Sequence, residues 1–166
     1  MKKFAFASVL AALAVAGFPL MMMQAAADDD GERVAPVKDP VVIKECGACH
    51  MVFQPVFLPA RSWQKMMAGL KDHFGENAEL DEAAAKRIGD YLTANAGDSG
   101  YFQGHALRGL RDGDTPLRIS ETPWFVRKHE KHGRISPSAL QRAKAKSKSD
   151  CAACHPDAGK GYYEDD

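Results

Sequence analysis

Cys46-Gly47-Ala48-Cys49-His50 and Cys151-Ala152-Ala153-Cys154-His155 are two copies of one five-residue pattern, and the 166-residue chain has no other cysteine. C-x-x-C-H is the attachment signature of c-type haem. Two residues between the thiols, on a helical turn, put both sulfurs at one porphyrin edge, where each can add to a vinyl group as a thioether. The histidine that follows then lies under the iron and offers it an imidazole nitrogen. The expected cofactors are two haem c groups with their irons. Cys46, Cys49, Cys151 and Cys154 would hold them, with His50 and His155 as proximal ligands.

Three plainer readings compete. Two C-x-x-C knuckles can share one structural zinc, but their thiolates must then meet across about a hundred residues, and both following histidines are left without a purpose. Redox dithiols of the thioredoxin kind sit in a βαβ pattern, which is missing here. Plain disulfides suit an oxidising compartment, but a C-x-x-C loop is very short for a staple. Two copies of the full pattern favour haem over all three.

The N-terminus supports this. Lys2 and Lys3 precede an uncharged, nearly all-apolar run from Phe4 to Met23, then Ala25-Ala26-Ala27 and Asp28-Asp29-Asp30. That is the layout of a cleaved secretory signal over residues 1–27, with an exported mature chain of 28–166. A retained anchor is the competing reading, because the run is about long enough to span a bilayer. No later segment is. Losing Lys2 and Lys3 leaves 20 basic residues against 22 acidic ones, which excludes a generally basic nucleic-acid binder. The mature part is poor in Leu, Ile, Val and Phe, so its side chains alone would build a thin core, and a large apolar cofactor would supply the missing surface.

The rest reads as all-α: one compact, mostly helical domain with long irregular loops. Trp63, Met66, Met67, Leu70 and Phe74 form a helical stripe over 59–74, with Gly75 as the stop. Asp81 can cap a second helix carrying Ala84, Ile88, Tyr91 and Leu92, ended by Gly97. Residues 97–120 read as a long loop. Thr122-Pro123 opens a helix to about His132, and Ser136-Pro137 opens another towards Cys151. No strand alternation is seen. The motifs do not mark two repeats, so one domain should wrap both haems and hold them close together.

Each iron needs a sixth ligand. His73, His105, His129 and His132 remain, with Met51, Met66 and Met67. Met51 adjoins His50 and cannot reach the opposite haem face, and Met66 and Met67 read as core fillers. His73 falls on the apolar face of the first helix. A lone histidine there is usually a packed core residue, but in a chain holding two irons ligation is the better reading. His129 and His132 are three apart on the helix of Trp124 and Phe125. The turn from Phe125 slightly favours His129, and His105 is held in reserve.

With these segments in view, the chain resembles the small dihaem cytochrome c family over essentially all of its mature length. The resemblance is carried by CGACH, by LPARSWQKMMAGLKDHFGENAELDEAAAKRIGDYL (58–92), by RISETPWFVRKHEKHGR (118–134) and by CAACH. It implies bis-histidine ligation of both haems, with His73 and His129 as distal ligands. It also implies a soluble periplasmic carrier linking a membrane b-type cytochrome to soluble redox partners such as another haem protein. Two imidazoles per iron suit outer-sphere electron transfer at low potential, since methionine ligation raises the potential. A rival is an enzyme or gas sensor with one five-coordinate haem. Another is an assembly subunit of a larger redox complex. Charge is also segregated: seven acidic residues lie between Asp72 and Asp98, and eight basic ones between Arg127 and Lys148. This fits either solvated helix faces or a docking surface for an acidic partner.

Overall fold

Asp39-Pro40 starts the first helix, α1 (Pro40–Cys46): the Asp39 carboxylate accepts from the backbone N–H of Val41 at 2.8 Å and of Val42 at 3.2 Å, and Pro40 occupies the first turn. Apolar periodicity does not announce this helix. In the computed structural model, which describes residues 33–100, 104–130 and 135–163, it delivers Cys46 into the first haem motif. The expected leader and His132 lie outside the described residues.

The second helix, α2 (Ala60–Ala68), has no side-chain cap of its own. The Asp98 carboxylate caps it from a distance, accepting from Ala60 N–H at 2.7 Å. α2 is shorter than the stripe over 59–74 suggests. It ends at Gly69, a 3₁₀ turn follows over Leu70–Asp72, and His73 lies beyond both. His73 therefore does not share a helical face with Trp63 and Met66. The chain reverses there through Phe74 (φ 58°) and Gly75 (φ 98°). His73 N–H donates to Glu76 O at 2.7 Å, and Glu76 N–H donates back at 3.3 Å. Two successive positive-φ residues between such a pair make a tight reverse turn. Local turn geometry thus overrides the apolar periodicity.

The third helix, α3 (Glu82–Ala94), is capped by Asp81 as expected, with Ile88 and Leu92 on its buried face. It ends at Asn95 rather than Gly97. Gly97 serves another purpose: a Cβ there would lie 2.4 Å from Val56 O and under 3 Å from Leu107. Its N–H donates to Leu58 O at 3.0 Å. Val42 of α1, Leu58, Trp63 of α2, Ile88 and Leu92 of α3 and Ala96 make the main core, with Met66 and Met67 packed against it.

The later helices are also shorter than expected. α4 (Pro123–His129) is capped by Thr122, and Glu130 is its C-cap. α5 (Pro137–Arg142), capped by Ser136, stops well before Cys151. Lys144 takes φ 55°, while Lys144 N–H donates to Gln141 O and Ala145 N–H to Leu140 O. That pair of bonds is a Schellman stop, built with lysine where glycine is usual. Cys151 starts its own 3₁₀ turn, Cys151–Ala153. Among the described residues there is no strand, only the isolated bridges Arg33–Tyr162 and His73–Glu76, and no helix is long and apolar enough to cross a membrane. The all-α expectation holds.

The two ends of the described part of the chain are joined. Val34 N–H donates to Gly161 O at 2.8 Å. Gly161 has φ 89°, and a Cβ on it would meet Val34 O at 1.9 Å, so only glycine fits there. This tie brings the segment after the second motif back onto the segment before the first.

Candidate haem sites

Each C-x-x-C-H histidine faces a second histidine from a distant element. At the first site the ring centres of His50 and His73 are 6.2 Å apart, with planes at 22°. At the second site His155 and His129 are also 6.2 Å apart, with planes at 84°. An imidazole–metal bond of roughly 2.0 Å and about 1.1 Å more to the ring centre, taken on both sides of one ion, separate the centres by about 6 Å. Both pairs have the spacing of two imidazoles sharing a metal, so the residues fit the cofactor that the motifs imply.

Backbone acceptors set the tautomers. The Nδ1–H of His50 donates to Met51 O at 2.6 Å, and that of His129 to Phe125 O at 3.0 Å. Each bond puts the proton on Nδ1, the tautomer in which Nε2 carries the lone pair that a metal would take. The α4 helix explains the second bond: Phe125 is one turn before His129, and its ring also stacks on the His129 ring at 4.1 Å and 19°. Nδ1 of His155 is buried and has no hydrogen-bond partner. Burial depresses the pKa of His73, helped by the nearby His50 and Arg118 charges, and so favours the neutral, ligating form. Arg118 stacks 3.9 Å over the Phe74 ring, which in turn touches His73.

His105, the reserve ligand, stands in neither pair. Its Nε2 takes part in a 2.9 Å hydrogen bond with the Arg108 guanidinium.

The second pair lies in a cleft whose lining includes Phe53, Phe57, Trp124, Leu140, Cys151 and Cys154. His73 borders a shallower cleft between Met66, Gly69 and Leu117. Phe53 joins the two sites. Its ring is 5.1 Å from His50, and it also lines the cleft of His129 and His155. Sequence reasoning misses this residue, although its place three positions after His50 is a usable signal. It also misses buried Gln54, which accepts from the Tyr163 hydroxyl at 2.5 Å and donates to Ala158 O at 2.8 Å. That bridge spans the two motifs, and Tyr163 packs on His155.

No disulfide joins the four cysteines. Burial, and secondarily Glu45, raises the pKa of Cys46. Burial pushes Cys151 up to about 11. Redox dithiols need a thiol that ionises easily, and Cys46 and Cys151 are shifted the other way. Among the described residues no three His, Cys, Asp or Glu side chains gather as a zinc knuckle would require.

An all-α chain with two such motifs, each faced by a second histidine, belongs to the class of c-type cytochromes. A family model described as Dihaem cytochrome c matches residues 42–163, and the chain is a member of that family. The family carries electrons in the periplasm rather than transforming substrates. Among solved structures, a diheme cytochrome c from Rhodobacter sphaeroides is 53% identical with a TM-score of 0.72, over 78% of this chain and 99% of that one. A second, a crystal structure of DHC purified from Rhodobacter sphaeroides, is 48% identical with a TM-score of 0.62, over 76% and 98%. A diheme cytochrome type c from Shewanella baltica OS155 is 31% identical with a TM-score of 0.58, over 75% and 86%. No curated protein matches the chain.

Proposed function

We propose that this chain is a periplasmic electron carrier with two covalently bound, low-spin haem c groups, each held between two histidines. Cys46 and Cys49 would anchor the first through thioethers, with His50 and His73 as axial ligands. Cys151 and Cys154 would anchor the second, with His155 and His129. The observation that carries this reading is the equal 6.2 Å spacing of the two histidine pairs. Bound haem c supplies a one-electron ferric–ferrous couple. The protein's part is to fill both axial positions, so that no substrate or gas can enter, and to hold the rings still so that little rearrangement accompanies electron transfer. Residues 1–27 are read as the leader removed on export.

Carbon monoxide tests this against the enzyme or sensor reading. The reduced holoprotein should leave its spectrum unchanged under the gas. Rapid formation of a carbonyl complex would mean that one site is five-coordinate, and would put the enzyme or sensor reading first.

Partners follow from charge. Arg127, Lys128, Arg142, Lys144, Lys146 and Lys148 lie on the segments around the second site, and Lys128 and Lys148 line its cleft. Among the described residues, Glu130 pairs with Lys148. We read this as a docking face for an acidic redox partner, with the two lysines also able to neutralise haem propionates. A membrane b-type cytochrome as donor and a soluble haem protein as acceptor fit the family resemblance. Salt screens such steering over a Debye length of about 10 Å at 0.1 M. Electron transfer to a true partner should therefore slow as ionic strength rises, whereas a salt-independent rate would rule the docking face out.

A further inference from the structure

The two sites share a spacing but not an orientation. The ring planes of His50 and His73 are 22° apart, whereas those of His129 and His155 are 84° apart. Neighbouring residues hold these planes. Phe125 holds His129 twice, with its ring stacked on the imidazole and its carbonyl on Nδ1. Tyr163 packs at 61° against His155 and is itself tied to buried Gln54. At the first site the Met51 carbonyl and the Phe53 ring fix His50, and the Phe74 ring abuts His73.

Resting on the bis-histidine reading above, we propose that the two haems are electronically distinct, the Cys46–His50 site having the lower potential and the Cys151–His155 site the higher. Three observations point the same way. First, near-parallel imidazoles direct both π-donor orbitals at one iron d orbital. This splits the pair and stabilises the ferric state. Perpendicular imidazoles act on one orbital each and leave the pair nearly degenerate, so the ferric state gains less and reduction is easier.

The second is hydrogen bonding to the ligands. A strong acceptor on Nδ1–H gives the imidazole anionic character and makes it a better donor to ferric iron. Each site has one bond of this kind, at 2.6 Å from His50 but at a longer 3.0 Å from His129, and Nδ1 of His155 is buried with no partner. The third is the surroundings. His50 is exposed and His73 half-buried, whereas His129 and His155 are both half-buried in an aromatic cleft. An apolar wall disfavours the extra positive charge of ferric haem. Charge does not separate the sites: Arg118 beside Phe74, with Lys65 and Asp72 at the His73 cleft, stands against Lys128, Lys148 and Asp150 at the second.

In the singly reduced protein the electron then resides mainly at the second site, beside the basic face. Phe53, which touches both sites, lies between donor and acceptor in that order.

The test is electron paramagnetic resonance of the oxidised holoprotein at stepwise lower applied potentials. Two ferric low-spin signals are expected: a rhombic one from the near-parallel pair, and a highly anisotropic one, with its largest g value at lower field, from the perpendicular pair. The anisotropic signal should disappear first on reduction. Exchanging one ligand at a time assigns the signals: His129→Met should abolish the anisotropic signal and His73→Met the rhombic one. Two signals of the same type, or loss of the rhombic one first, would overturn the inference while leaving bis-histidine ligation intact. A high-spin ferric signal in the unmutated protein would instead mean that the ligand reading beneath it fails.

Discussion

Replacing either distal histidine by alanine should turn one closed site into an open one. His73→Ala and His129→Ala are each expected to convert one haem from low-spin to high-spin, to let the reduced protein bind carbon monoxide at that site, and to leave the other haem unchanged. The effect is close to all-or-none because no described side chain stands ready to substitute. His105 is engaged with Arg108, Met67 packs against the α1–α3 core, and Met66, although it borders the His73 cleft, packs against the same core. Added imidazole should restore the low-spin spectrum in both variants, as a ligand vacancy allows and a general loss of fold does not. His105→Ala and His132→Ala serve as controls and should keep two low-spin haems. A spectral change in His132→Ala matched by none in His129→Ala would move the second distal ligand three residues along.

The largest effect on stability is expected at Trp63. Its side chain is 5% exposed, it sits in the core shared by α1, α2 and α3, and its indole N–H donates to Pro55 O at 2.8 Å. Trp63→Ala removes a large buried surface, leaves a cavity and strands a buried carbonyl. A cost of about 3–5 kcal/mol is usual for such a change, a large share of the roughly 5–15 kcal/mol that holds a domain folded. Trp63→Phe keeps most of the packing and loses the hydrogen bond, so it should cost less, on the order of 1–3 kcal/mol. Denaturation of the holoproteins, followed by far-ultraviolet circular dichroism, compares the two. Equal costs would mean that the hydrogen bond rather than the packing dominates.

The helix starts are legible in the sequence. Cap chemistry places those of α3, α4 and α5 at Asp81, Thr122 and Ser136, since each side chain accepts from its own first turn. The ends are less legible. The stripe from Trp63 to Phe74 reads as one helix, but it is interrupted by Gly69, whose departure from helix depends on a turn held by Asp72 and Glu76. α5 stops on a left-handed lysine, a conformation that its side chain does not advertise. α1 is signalled by Asp39-Pro40 but is easily passed over, because only one turn of apolar residues follows.

The two motifs declare the proximal half of each site locally, in five consecutive residues. The distal half is tertiary. Nothing near His73 in sequence says that it meets His50, and the plane of each ring is set by neighbours such as Tyr163 and Phe125 whose roles emerge only in three dimensions. The bridge from Gln54 to Tyr163 joins residues 109 positions apart, beyond the reach of any local pattern.

The central claim is that two haems are each held by two histidines, and near-infrared magnetic circular dichroism of the oxidised holoprotein, with haem content measured on the same sample, tests it most directly. Two haems per chain with only the charge-transfer band of bis-histidine low-spin ferric haem is the result predicted. A band from a methionine-ligated or high-spin component, or a single haem per chain, would contradict it.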